Sequence, residues 1–146
     1  MAEYVAYLMI DGIKGDSQDL GFPDAIKLMS YSWDKTNGPN PQFKFTKLHD
    51  LTSPKLFHYY SNGLSIKKVT LVLVMYEGGN KKGAEYYRIE FTNVALTSFQ
   101  AQSKDESAYD TATFECDKMV FTKYGEAPVN GTPDRAMWDT PMYHSI

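Results

Sequence analysis

The side chains able to do chemistry near neutral pH are few: His49, His58, His144 and one cysteine, Cys116. His49 and His58 do not have the i, i+4 spacing of a zinc pair, and no HExxH or CxxC occurs. A surface or capping role is the expectation for both. Asp16, Asp19, Asp105 and Glu106 scatter through loops with no readable pairing, and no Gly-x-Ser-x-Gly elbow is present. Gly12 and Gly15 belong to a loop with no following lysine–serine pair and no helix opening, so they read as turn residues and not as a phosphate cradle. A lone cysteine forms no internal disulfide and is expected as a small buried hydrophobe. The one nucleophile reading left is a dyad of Cys116 with a histidine brought close only by folding. Cys116→Ser tests it, because any hydrolytic activity should vanish. The residues thus give catalysis no support, and no cofactor or metal site is expected.

Composition narrows the classes further. The chain has 146 residues and a formal net charge of −3. One domain burying roughly 68–70% of its unfolded surface is the expectation. Nucleic-acid binders carry a basic stripe, and here the only arginines are Arg88 and Arg135. The start, MAEYVAYLMIDG, lacks the charge and apolar length of a signal peptide, and no stretch nears the ~20 apolar residues of a membrane span. Synthesis and folding in the cytosol, with no membrane insertion, follow as expectations. Asn130-Gly131-Thr132 reads as a turn.

The elements that would position any site are mostly strands. Tyr4 to Ile10 is apolar on both faces, so this strand is either central or covered by another subunit. Ala25 to Asp34 is a second strand, with Lys27, Met29, Tyr31 and Trp33 on a face that meets something other than bulk water. A proline-rich loop, Thr36 to Pro41, leads to an alternating strand from Phe43. One helix follows. Thr52 and Ser53 offer hydroxyl oxygens to free amides, Pro54 suits the first turn, and Asn62-Gly63 ends it. Leu56, Phe57 and Tyr60 share a side, and Phe57 is expected to anchor the helix as a plug on a curved sheet. On that expectation Phe57→Ala costs ~3–5 kcal/mol.

Ile66 to Tyr76 is the strongest strand, and EGGNKKG, residues 77–83, reads as a hairpin tip. Tyr86 to Ser98 changes apolar parity near Thr92-Asn93, as one extra residue in a bulge would make it do. Thr111 to Tyr124 slips likewise between Cys116 and Met119. Two bent long strands argue for a barrel or tight sandwich. Gly125 to Ile146 has weak periodicity, and Trp138 and Tyr143 suggest that it docks. The domain reading is therefore a barrel domain, 1–124, with a tail, 125–146, packed on it. Strands apolar on both faces motivate a homo-oligomer closed by a rotation axis. Obligate interfaces of that kind exceed ~2,000 Å² in total.

Several stretches together resemble a known family. YLMIDGIKGDS (residues 7–17), SYSW (30–33), FTK (45–47), DLTSPKLF (50–57), IKKVTLVL (66–73) and DKMVFTKY (117–124) are similar to the Hcp family, the haemolysin-coregulated tube protein of bacterial type VI secretion. Trp138-Asp139 is similar to a late family feature. The resemblance implies a mainly β fold, a two-sheet β-barrel with one short flanking α-helix, phage-tail-tube-like. It implies a homo-hexamer, rings stacked into a hollow tube, and small effectors carried in the lumen. It implies sheath, spike and baseplate proteins as partners. Assembly in the cytosol and signal-peptide-independent secretion by a contractile machine follow. Carried over by motif, Ser53, Pro54, Leu56 and Phe57 belong to the buttressing helix. Tyr31 and Trp33, with Tyr7, are the candidates for the subunit seam. Lys14, Asp16, Asn37, Asn40, Asn80 and Lys81 are the candidates for ring-stacking loops, and deleting Asn37 to Asn40 should weaken stacking more than folding.

The alternative from another class is a small-ligand or glycan-binding β-barrel module. In it Tyr31, Trp33 and Tyr86 form a stacking platform.

Overall fold

A computed structural model describes residues 2–17, 22–35, 40–77, 83–123 and 134–139, the last six by backbone alone. The strands are β1 (Ala2–Ile10), β2 (Ile26–Asp34), β3 (Gln42–Leu48), β4 (Ser65–Glu77), β5 (Ala84–Lys104), β6 (Ser107–Lys123) and β7 (Asp134–Asp139). Among the described residues the one helix is α1 (Thr52–Ser61). The sheet runs β3-β2-β1-β4-β5-β6-β7, and β3 also pairs with β6. That last pairing closes six strands into a barrel. Every described pairing is antiparallel. The mainly β barrel with one helix is as the sequence led us to expect.

The apolar residues on both faces of β1 are explained by its central place. Ala6, Leu8 and Ile10 point into the barrel core with Phe43, Phe45, Phe91 and Phe114. On the other side Tyr7, Ala25, Val72 and Val74 make a second buried cluster, roofed by Phe22. Tyr7 is fully buried, stacks on Phe22 at 4.7 Å and hydrogen-bonds Tyr76 at 2.8 Å between hydroxyls. It therefore cannot lie at a subunit seam, which corrects that expectation. The chain's own loop before β2 covers this face. Gly15 makes the loop fit, because a Cβ there would sit 2.4 Å from the Ala25 carbonyl oxygen.

Barrel curvature comes from irregularities at defined residues. Ile66 pairs with Val94 and Lys68 with Thr92; Val94 pairs with Cys116 and Thr92 with Lys118. The ladders thus skip a row formed by Lys67, Asn93 and Asp117. Across that row Ile66 and Val69, Phe91 and Val94, Cys116 and Met119 are all buried, each pair three apart. Asn93 takes φ +53°, the left-handed region that asparagine tolerates better than most. The expected bulge with one extra residue is not what changes parity here: the register is the same on both sides of the row, and three strands bend together. One-against-two bulges lie elsewhere, at Met29, Tyr86 and Thr97.

The bulge at Met29 corrects the reading of β2. Tyr31 pairs with Phe45 and Trp33 with Phe43, both core residues, so beyond Met29 the odd positions turn inward. Tyr31 is half-buried on Phe43, with ring centroids 5.8 Å apart. The β5–β6 hairpin is also longer than its hydrophobic pattern shows. It runs to Lys104 and Ser107 and turns on Asp105-Glu106, both at positive φ, as a type I′ turn requires. In the stretch after Tyr124, weak periodicity hid β7, which pairs with β6 from Lys118↔Asp139 to Lys123↔Asp134.

Helix α1 is anchored by Leu56, fully buried, and not by Phe57, which is 53% exposed and meets only Phe99, at 6.1 Å between ring centroids, among the aromatic contacts. The helix turns Thr52, Ser53 and Leu56 to the barrel, and Phe57 lies on the flank of that stripe. Leu56→Ala is accordingly expected to cost ~2–5 kcal/mol in urea unfolding, and Phe57→Ala clearly less. Equal losses from the two variants would contradict this anchoring. At the other end Gly63, φ +63°, and the Asn62 side chain, bonded at 2.9 Å to the His58 carbonyl, stop the helix.

Candidate functional site

The densest polar constellation joins β3, α1 and β6. Lys47 follows Phe43 and Phe45 on the inward face of β3, and Asp110 precedes Ala112 and Phe114 on the inward face of β6. They are direct partners across the barrel-closing ladder. Both are fully buried. The Lys47 ammonium donates to Asp110 Oδ2 at 2.9 Å, Asp50 Oδ1 at 3.0 Å, Ser53 Oγ at 3.1 Å and the Leu48 carbonyl at 3.2 Å. The Ser53 hydroxyl donates to Asp110 Oδ2, and His49 Nδ1 lies 3.0 Å from Oδ1. Asp50, through Oδ1, accepts the Thr52 N–H at 2.8 Å. The cap is therefore the Asp50 carboxylate. Ser53 instead accepts from the Asp50 N–H at 3.1 Å, a correction to the expected capping by Thr52 and Ser53.

Burial by itself would raise the Asp110 carboxyl, but hydrogen bonds from Ser53, His49 and Lys47 and the Lys47 charge outweigh it and hold it below the ordinary 3.8. For Asp50 burial likewise pushes up, and bonds from Thr52 and Lys47 bring it below 3.8. A carboxylate with a lowered folded pKa contributes stability that is present above its unfolded value and lost as pH falls through the folded one. Stability is thus expected to drop steeply as pH falls below 3.8, and Asp110→Asn should flatten that dependence. Urea midpoints across acid pH check this.

Serine, histidine, lysine and aspartate together suggest a nucleophile, but the geometry does not build one. Ser53 and His49 both contact Asp110, so the histidine does not stand between serine and carboxylate as a base must. Ser53 is 2% exposed, which leaves a substrate no approach. Cys116 is buried, and burial, then the Asp117 charge, pushes its thiol up to about 12, so it stays protonated at neutral pH. His58 lies exposed on α1, beside Asn62 at 3.2 Å, and His144 is outside the described residues. Among the described residues no three His, Cys, Asp or Glu side chains converge as metal ligands. The constellation's chemistry is that of a clasp: it joins the closing strands to the helix N-terminus.

A second feature is an arc of aromatics at one end of the barrel. Tyr4, Tyr86, Tyr87, Phe121 and Trp33 form a chain with successive ring centroids 5.2, 6.1, 5.1 and 6.0 Å apart. Lys123 Nζ sits 3.8 Å over the Tyr86 ring. Trp33 and Tyr86 thus share one arc, whereas Tyr31 is stacked inward on Phe43. The flat platform of Tyr31, Trp33 and Tyr86 is not formed, because these rings are packed on other side chains at differing angles.

The remaining sites fall as follows. Lys14 and Asp16 are exposed in the loop after β1, with Lys14 3.9 Å from Asp24. Asn40 is half-buried, and Asn37, Asn80 and Lys81 lie outside the described residues. Pro54 is exposed in the first helical turn. Reading for reactive residues overlooked Lys47 and Asp110. The signal was their place in the alternation, since a charge at an inward position needs a partner.

Closed barrel, clasp and flanking helix can be set beside known proteins. The family model described as "Type VI secretion system effector, Hcp" matches residues 7–124. This chain belongs to the Hcp family. Its fold is similar to that of Hcp1 from Salmonella typhimurium, at 28% identity and TM-score 0.80 over 96% of each chain. It is also similar to a type VI secretion system effector from Yersinia pestis, at 25% identity and TM-score 0.77, over 92% of this chain and 98% of that one. Hcp2 from Salmonella typhimurium, at 24% identity, shares the fold with TM-score 0.72, over 92% of this chain and 94% of that one. No curated protein matches. The Hcp family places the chain in type VI secretion and among its structural tube proteins, with secretion and assembly partners of that system. No described helix is long and apolar enough to cross a membrane.

Proposed function

We propose that the chain is a structural subunit of the type VI inner tube and not an enzyme. Six copies form a ring, rings stack into a hollow tube, and sheath contraction exports it with effectors in the lumen. Sheath, spike and baseplate proteins are its partners. The observation that carries the reading is the family match over a closed barrel in which buried Lys47, Ser53 and Asp110 are joined in a clasp. Further support is apolar surface left on the subunit: Leu48, Leu51, Phe57 and Leu64, around α1, are 41–79% exposed. Ring closure covers such surface. Tyr31 and Trp33 stay as seam candidates only through what they leave exposed, and Lys14 and Asp16 remain candidates for ring stacking. Native mass measurement tests the reading. A hexamer is expected; a monomer that binds sugar would point to the glycan module instead.

A further inference from the structure

We propose that Met29 is a reversible oxidation site of the folded chain: hydroperoxides convert it to the sulfoxide and the barrel keeps its fold. Leu28 pairs with Lys47 and Ser30 with Thr46, which leaves Met29 as the extra residue of a bulge with no partner on β3. On the other side β1 and β2 pair only at Tyr7↔Lys27 and Leu8↔Ile26. A bulge re-aims the side chain it carries. Met29 is 54% exposed beside Leu28 at 9%, and it belongs to neither core cluster. It also borders an open cleft of about 560 Å³ whose lining includes Glu3, Lys27 and Ser30. A peroxide therefore meets the sulfur from water, without any opening of the barrel.

The other described methionine side chains lack this access. Met119 is 4% exposed within the barrel core, Met9 packs on the Tyr7 cluster, and Met75 is half-buried. Oxidation follows exposure of the sulfur. In the step, the sulfur lone pair attacks one oxygen of hydrogen peroxide. The S–O bond forms as the O–O bond breaks, and proton transfer releases water. Sulfur is oxidised and the peroxide is reduced. The product is polar, and inside the core its oxygen would be costly for want of a donor. At Met29 the oxygen enters the open cleft and stays hydrated, and no ladder pair includes the residue. The same exposure admits a reductase, which returns the thioether. The site is complete in one subunit and does not rest on ring formation.

Dilute hydrogen peroxide followed by peptide mapping of the purified chain tests this. The peptide holding Met29 should gain one oxygen at least about tenfold faster than the one holding Met119, and ahead of those holding Met9 and Met75. Protein oxidised at Met29 alone should keep the urea midpoint of the untreated chain. Methionine sulfoxide reductase should then remove the oxygen. Met29→Leu should keep the midpoint and lose the fast phase of oxygen uptake. A Met29 that reacts no faster than Met119, or that follows Met9 or Met75, would overturn the proposal. So would a lowered midpoint after oxidation at Met29, or a sulfoxide that the reductase leaves in place.

Discussion

Lys47→Met lowers folding stability by about 3–5 kcal/mol. The ammonium has four oxygen partners, and both it and Asp110 opposite it are fully buried. Removing it leaves the Asp110 carboxylate with only the neutral Ser53 hydroxyl and His49, and an unpaired buried charge is costly. The change also loosens Asp50, which caps α1. Replacing both partners, in Lys47→Met/Asp110→Leu, is expected to lose less than the two single losses added together, because no charge is then stranded. Urea denaturation of the three variants measures this. A single-variant loss under about 1 kcal/mol would mean that the pair is solvated and is no clasp.

Phe43→Ala is expected to cost about 3–5 kcal/mol. Phe43 is 1% exposed and its ring lies 5.0 Å from Phe114, 5.1 Å from Phe91, 5.8 Å from Tyr31 and 6.1 Å from Phe45. These neighbours come from β2, β3, β5 and β6, so the cavity would open where the barrel closes. They are held in fixed ladders and collapse only in part, which is why the loss exceeds simple transfer. Thermal and urea unfolding check it. A loss no larger than that of Phe57→Ala would refute the placement of the core.

Much of the barrel was legible because inward and outward residues alternate along strands. Phe114 and Cys116 against Met119 and Phe121 revealed the bend in β6, and Val94 and Leu96 that in β5. What alternation could not show was whether a parity change belongs to one strand or to three. Lys67 and Asp117 become a row with Asn93 only once pairing is known. Nor could it show Met29 as a bulge, because either side of β2 had plausible side chains, and Tyr31 and Trp33 were turned outward in consequence. Tyr7 was misplaced because its cover, Phe22, comes from a loop with no periodicity. Phe57 outranked Leu56 on size, although the helical stripe through Thr52 and Ser53 runs nearer Leu56. Lys47 and Asp110 lie far apart in sequence, and only barrel closure makes them neighbours.

Electron microscopy of the purified chain is the most direct test. Six-fold rings with a central channel, stacking at high concentration, are what the account predicts. Compact single subunits at every concentration, with Leu51 and Phe57 still open to solvent, would contradict it.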